Sequence, residues 1–135
     1  MPPTYRATFS GDYKNVPLAR NAVASFARVC GFSQDEVDDI RLATGEAIAN
    51  AVEHGRNPKV AGFSVRCIFA EDELNIEVRD NGEGFDDDDV PAEPLDEKTR
   101  GFGIFLMRRL MDNVNFEKSG TLVRLTRRHH HGIVS

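Results

Sequence analysis

Glu46, Asn50 and His54 recur at four-residue intervals within Thr44-Gly-Glu-Ala-Ile-Ala-Asn-Ala-Val-Glu-His54. Each step of four turns a helix by about 40°, so the three residues form one slowly drifting polar stripe. Ala43, Ala47, Ile48, Ala51 and Val52 surround it at helical spacing and mark a packed face. A carboxylate, an amide and an imidazole in that setting each need partners. On its own the stripe reads equally well as the wet edge of a half-exposed helix. Two other stretches carry comparable chemistry. In Asp80-Asn-Gly-Glu-Gly-Phe85 a carboxylate stands at a strand end, and an acceptor on the floor of an apolar pocket is what an exocyclic amine requires. In Arg100-Gly-Phe-Gly-Ile104 a Gly-x-Gly pair enters a helix, where free N–H groups and the positive end of the dipole suit a phosphate. Taken singly, each glycine pair is also an ordinary tight turn.

The elements that must hold these residues follow from periodicity. Thr4 to Ser10 alternates as a first strand and is broken by Gly11-Asp12. Pro17, tolerated in a first helical turn, precedes Leu18, Ala19, Ala22, Val23, Phe26 and Ala27 at helical spacing, and Gly31 ends that helix. Ser33-Gln-Asp-Glu36 is a capping-box pattern opening a long helix through Val37, Ile40 and Leu42 to His54, with Gly55 and Pro58 closing it. Phe63, Val65, Cys67 and Phe69 then alternate with Ser64, Arg66 and Ile68. After a Glu71-Asp72 turn, Leu74, Ile76 and Val78 alternate in the same way, so the pair reads as an antiparallel hairpin delivering Asp80 to its end.

Residues 82–100, with Gly82, Gly84, Asp86 to Asp89, Pro91 and Pro94, read as a long loop. Loops of that length in compact domains are commonly functional lids. Consecutive aspartates do not converge on one ion, so this is an acidic, solvated lid rather than a metal cluster. A helix is expected from Gly101 through Ile104, Leu106 or Met107, Leu110 and Met111, followed by a hairpin of Asn113 to Phe116 and Thr121 to Thr126. From 128 to 135 the sequence, with His129, His130 and His131, reads as a solvated tail. The order strand, helix, helix, strand, strand, lid, helix, strand, strand predicts an α+β two-layer sandwich: a mainly antiparallel mixed sheet with helices on one face. At 135 residues, 1–135 is expected to be a single domain.

Composition narrows the function. Lys plus Arg number 17 against 22 Asp plus Glu, a net charge of −5, and the basic residues are scattered, which argues against a nucleic-acid partner. Cys30 and Cys67 sit among apolar neighbours as buried reduced thiols. No apolar run approaches a membrane span and Met1-Pro2-Pro3 begins no targeting segment, so a cytoplasmic protein with no membrane partner is expected.

Together and in this order, Glu46-x-x-x-Asn50, Asp80-x-Gly-x-Gly84 and Gly101-x-Gly103 resemble the motifs of the GHKL ATP-binding superfamily, which includes gyrase, MutL and the histidine kinases and has the Bergerat fold. More closely, Gly45 to His54 and Gly101 to Val114 resemble the anti-sigma-factor serine kinases of the RsbW and SpoIIAB type, a likeness running from Thr4 to about Arg127. The resemblance implies that Asn50 holds Mg²⁺ on the ATP phosphates and that Glu46 is the general base. It implies that Asp80 and the hydroxyl of Thr121 receive the adenine, with Gly82 and Gly84 passing close to the base and Phe85 or Ile104 walling the pocket. Gly101, Phe102 and Gly103 would donate N–H groups to the phosphates, Arg100 would add positive charge, and His54 would stand beside the metal site. The implied partners are a sigma factor and an anti-sigma-factor antagonist bearing the acceptor serine, with a homodimer as the assembly. An ATP-gated binding module without phosphoryl transfer, or a bare ATP hydrolase, would fit the same motifs.

Overall fold

The computed structural model describes residues 1–54, 62–80, 97–117 and 122–129. Its elements are β1 (Thr4–Ser10), α1 (Asn15–Val29), α2 (Gln34–His54), β2 (Gly62–Ala70), β3 (Glu73–Asp80), α3 (Glu97–Leu110), β4 (Asn113–Glu117) and β5 (Leu122–Arg128).

Local chemistry accounts for most boundaries. Helix α1 stops at Gly31, whose φ of +99° suits glycine. There the Phe32 N–H donates to the Ala27 carbonyl and the Gly31 N–H to that of Arg28, closing a Schellman motif. Helix α2 opens with the reciprocal box: the Glu36 N–H donates to Ser33 Oγ at 3.2 Å, and the Ser33 N–H to Glu36 Oε1 at 3.0 Å. Strands β2 and β3 are joined by Glu71 and Asp72, both at positive φ (54° and 61°), the backbone of a two-residue hairpin turn whose twist matches the strands.

The five strands lie in the order β1-β2-β3-β5-β4, and every neighbouring pair is antiparallel. The parallel component of the expected mixed sheet is therefore absent among the described strands. Each junction between neighbours is either a hairpin or a connection that reverses direction. Phe63, Val65, Cys67, Leu74, Ile76, Val78 and Leu125 point from the sheet into the core, where Val23, Val37, Ile40, Ile48 and Met107 of the helices meet them. Two layers, helices on one face only, result.

Helix α3 begins at Glu97, four residues before the expected Gly101, so the last part of the expected 82–100 lid is helical. Glu, Lys and Arg are good helix formers, but the polar run from Glu97 to Arg100 has no apolar periodicity to announce it. Residues 82–96 lie outside the described residues. The expected 128–135 tail is likewise shortened from its front. Arg128 ends β5, paired across the ladder with Glu73. His129 is built into the fold: its backbone N–H donates to the Asp72 carbonyl and its Nε2 lies 2.8 Å from the Gly31 carbonyl. The ring meets Phe32 edge-on at 4.9 Å. Arg127, next in from that end, donates to the carbonyl of Leu110 and approaches Asp39 at 3.6 Å, tying the last turn of α3 to β5 and α2.

Candidate active site

The long helix α2 positions Glu46 and Asn50 one turn apart on its partly exposed edge, while Ala43, Ala47 and Ile48 are buried. That division is the polar stripe expected from spacing. His54 is the last residue of α2; its side chain, like that of Arg100, lies outside the described part.

Helix α3 runs beside α2, and the place of closest approach is chemical. A Cβ added to Gly103 would stand 2.9 Å from Glu46 Oε2 and 3.8 Å from its Cδ, closer than carbon and oxygen tolerate. Glycine here lets α3 lie against a carboxylate. Two expected site residues 57 positions apart in the sequence are thereby in direct contact. Because α3 starts at Glu97, Gly101 and Gly103 lie inside the helix rather than at its first residues. The donors free of intrahelical acceptors belong to the first four positions, 97–100, which corrects the expectation that Gly101, Phe102 and Gly103 supply them. Phe102 is exposed and Ile104 half-buried, packed against the core.

Asp80 is another expected site residue that the structure describes. Leu74, Ile76, Val78 and Asp80 alternate on the helix side of β3, so the carboxylate is turned under the helices and is only 7% exposed. It pairs across the ladder with Phe63, which in turn faces and stacks on Phe9 with ring centroids 5.1 Å apart. This row supplies an apolar floor beside a buried acceptor. The C-terminal end of α2 leads through 55–61 to the start of β2, the same end of the sheet as Asp80. Gly82, Gly84, Phe85 and Thr121 lie outside the described residues.

On its other side Glu46 lines an open groove of about 530 Å³ between α1 and α2, together with Arg20, Arg41, Leu42 and Gly45. Arg20 lies across Gly45, with Cδ 3.2 Å from where a Cβ would be. Arg41 is held by Asp38 at 3.0 Å. Neither arginine was singled out from the sequence. The available signal was Gly45 itself, a poor residue for a helix interior that marks a close approach. No group of three His, Cys, Asp or Glu side chains capable of holding a metal occurs among the described residues. The one candidate ligand, Asn50, offers an amide oxygen, a donor that suits a cation otherwise held by phosphates and water.

Residues 9–127 match the family model described as histidine kinase-like ATPase domain. The chain is 32% identical over 127 residues to an anti-sigma F factor of Thermoanaerobacter sp. (strain X514), covering 88% of this chain and 89% of that one. It is 34% identical over 124 residues to serine-protein kinase RsbW of Oceanobacillus iheyensis, covering 83% and 78%, and 32% identical over 123 residues to that of Bacillus subtilis (strain 168), covering 83% and 77%. Its fold is also that of a crystal structure containing the RsbU and RsbW domains of a Mycobacterium tuberculosis protein, with a TM-score of 0.72 at 22% identity. The match covers 94% of this chain and 32% of that longer one.

Proposed function

Since this chain belongs to the histidine kinase-like ATPase domain family, we propose that it is an ATP-dependent protein serine/threonine kinase that also sequesters a sigma factor. The observation that carries the reading is the position of Glu46, pressed against Gly103 of α3 on one side and open to the α1–α2 groove on the other. A base serving only water needs no such groove. A base serving a protein acceptor must be reachable by a chain segment, and this one is.

In the proposed reaction ATP lies between β3 and the N-terminal end of α3. Asp80 accepts from the adenine amino group over the Phe63 floor, helped by Thr121, with Gly82, Gly84, Phe85 and Ile104 around the base. The phosphates meet the free N–H groups of the first turn of α3 and the charge of Arg100, while Gly101 and Gly103, on either side of Phe102, leave the helix without side chains that would hold ATP away. Asn50, with His54 one turn further along α2, would hold Mg²⁺, and the ion would supply neutralisation of phosphate charge. The acceptor hydroxyl oxygen forms a bond to the γ-phosphorus as the bond to the β–γ bridging oxygen breaks, and its proton passes to Glu46. ADP carries away the leaving oxygen. Phosphoryl transfer is mostly positioning and charge neutralisation, so one base, one metal ligand and a set of phosphate donors suffice. The names of the relatives, anti-sigma F factor and serine-protein kinase, support a sigma factor as partner and a serine-bearing protein as acceptor; in the same reading that acceptor is an anti-sigma-factor antagonist and the kinase a homodimer.

Glu46→Gln tests the reading, because the amide keeps the shape and cannot take a proton. ATP affinity should hold while single-turnover phosphorylation of the antagonist falls by about 10²–10⁴-fold. Transfer at full rate would remove Glu46 as the base. Wild-type protein that binds ATP and a sigma factor but transfers nothing would make it a nucleotide-gated binding module instead.

A further inference from the structure

The face of the sheet turned away from the helices carries five arginines on its described strands: Arg6, Arg66, Arg79, Arg124 and Arg128. Strand register sets Arg6, Arg66, Glu77, Arg124 and Asn115 in one row across all five strands. The next row brings Thr8, Ser64 and Arg79 side by side. Of the three glutamates described on this face, Glu77 and Glu117 are engaged by Arg124 at 3.0 and 3.2 Å and Glu73 by Arg128 at 3.6 Å, while Glu77 reaches Arg66 only at 4.0 Å. Arg6 and Arg79 have neither an ion pair nor a hydrogen bond from their side chains among the described residues. Arg6, Thr8, Ser64, Arg66, Glu77 and Arg79 together line a shallow dent of about 300 Å³.

Arg6 and Arg66 are directly opposed across the ladder, an arrangement in which like charges destabilise a sheet. Among the described residues the offset is Glu77, 4.0 Å from Arg66 and already bound by Arg124, which leaves Arg6 without an ion pair. An anion seated between the two arginines would supply one, and the two hydroxyls in the next row would add donors. With strands about 4.8 Å apart and residues about 3.4 Å along each, the Cα atoms of Arg6 and Arg79 lie about 12 Å apart, so the three arginines offer room for more than one carboxylate. Two or three acidic groups on a flexible backbone match the spacing. The protein as a whole is net negative, which disfavours an extended polyanion such as nucleic acid relative to a segment of a few acidic residues.

We propose that this open face docks a short acidic segment of a protein partner, its carboxylates pairing with Arg6, Arg66 and Arg79. The site stands on the side of the sheet opposite Glu46 and does not depend on the nucleotide reading. The test is anisotropy of a short dye-labelled peptide of glutamates spaced by serine and glycine, titrated with the full chain. Binding is expected, weakening steeply between about 0.05 and about 0.3 M salt. Arg6→Thr and Arg79→Thr should each weaken it about tenfold. Arg6→Thr should leave the melting temperature unchanged or higher, because it relieves the opposed pair. Arg108→Ala and Arg109→Ala, on exposed positions of α3, and Glu46→Gln should leave binding as it is. No binding of the peptide, equal binding by the Arg6 and Arg79 variants, or an equal loss in the α3 variants would overturn the site. Tighter binding of a DNA oligomer or of a neutral phosphopeptide than of the acidic peptide would overturn the assigned partner.

Discussion

Replacing Gly103 by alanine separates two effects that act on the same atom. In a helix interior alanine is favoured over glycine by about 0.8–1.0 kcal/mol, so on backbone grounds the variant should be more stable. The new Cβ, however, would stand 2.9 Å from Glu46 Oε2, where ordinary contact begins at 3.4 Å. The carboxylate must therefore retreat by about 0.5 Å or the helices must part. Glu46 is the far end of a flexible side chain, and rotating it costs about 0.5–1.5 kcal/mol if it leaves its rotamer. The two terms nearly cancel, and thermal unfolding of Gly103→Ala should move by no more than a few degrees. In a Glu46→Ala background the obstacle is gone, and the same substitution should stabilise by nearly the full helix term, about 1 kcal/mol. The difference between backgrounds is the coupling between the residues. Phosphoryl transfer is the second readout: a base displaced by about half an ångström should lose roughly ten- to a hundredfold in rate with ATP affinity intact. Equal stability effects in both backgrounds, or a Gly103→Ala enzyme with wild-type single-turnover rate, would refute the reasoning.

Asp80→Asn should weaken ATP and adenosine alike, by roughly 1.5–3 kcal/mol or about ten- to a hundredfold, since the adenine is common to both; calorimetry showing unchanged affinity would take Asp80 out of the pocket. Burial, with a smaller contribution from Cys30, pushes the Cys67 thiol up from 9.0 to about 12. Below pH 9 both folded and unfolded chains keep that proton. Between pH 9 and about 12 only the folded chain does, so rising pH favours unfolding and stability falls across that window. Denaturant melts should show a steeper alkaline loss in wild type than in Cys67→Ala, and parallel pH profiles would count against it.

What could be read from the sequence was whatever is encoded within a few residues. The Ser33–Glu36 box, the end of α1 at Gly31 and the alternation that turns Asp80 inward are all local, and each is as expected. The features that escaped depend on which segments become neighbours. Gly101 and Gly103 mark the expected start of a helix because glycine disfavours a helix interior, and only the packing of α3 on Glu46 explains why Gly103 lies inside one. His129 stands in a run of histidines that reads as tail, and its place on Phe32 and the Gly31 carbonyl exists only once β5 is in register. The row of Arg6, Arg66, Glu77 and Arg124 spans 119 positions, and no spacing rule connects them before strand order is known. Asn50 and Glu46 sit between these cases: their shared edge follows from helical period, but the contact of Glu46 with α3 does not.

The strand order β1-β2-β3-β5-β4 also has a consequence for how the chain is made. A ribosome releases β1, β2 and β3 well before β5, and domains begin to organise as they emerge. Until residues 122–128 arrive, the β3 edge that later binds β5 presents unpaired backbone groups beside Leu74, Ile76 and Val78, a template on which another nascent chain could pair. β5 then fills the gap between β3 and β4, and His129 closes over the Gly31 turn 98 residues upstream. Closure of the sheet thus waits for the last of its strands, and a pause just before β5 leaves β1, β2 and β3 with one sticky edge still open.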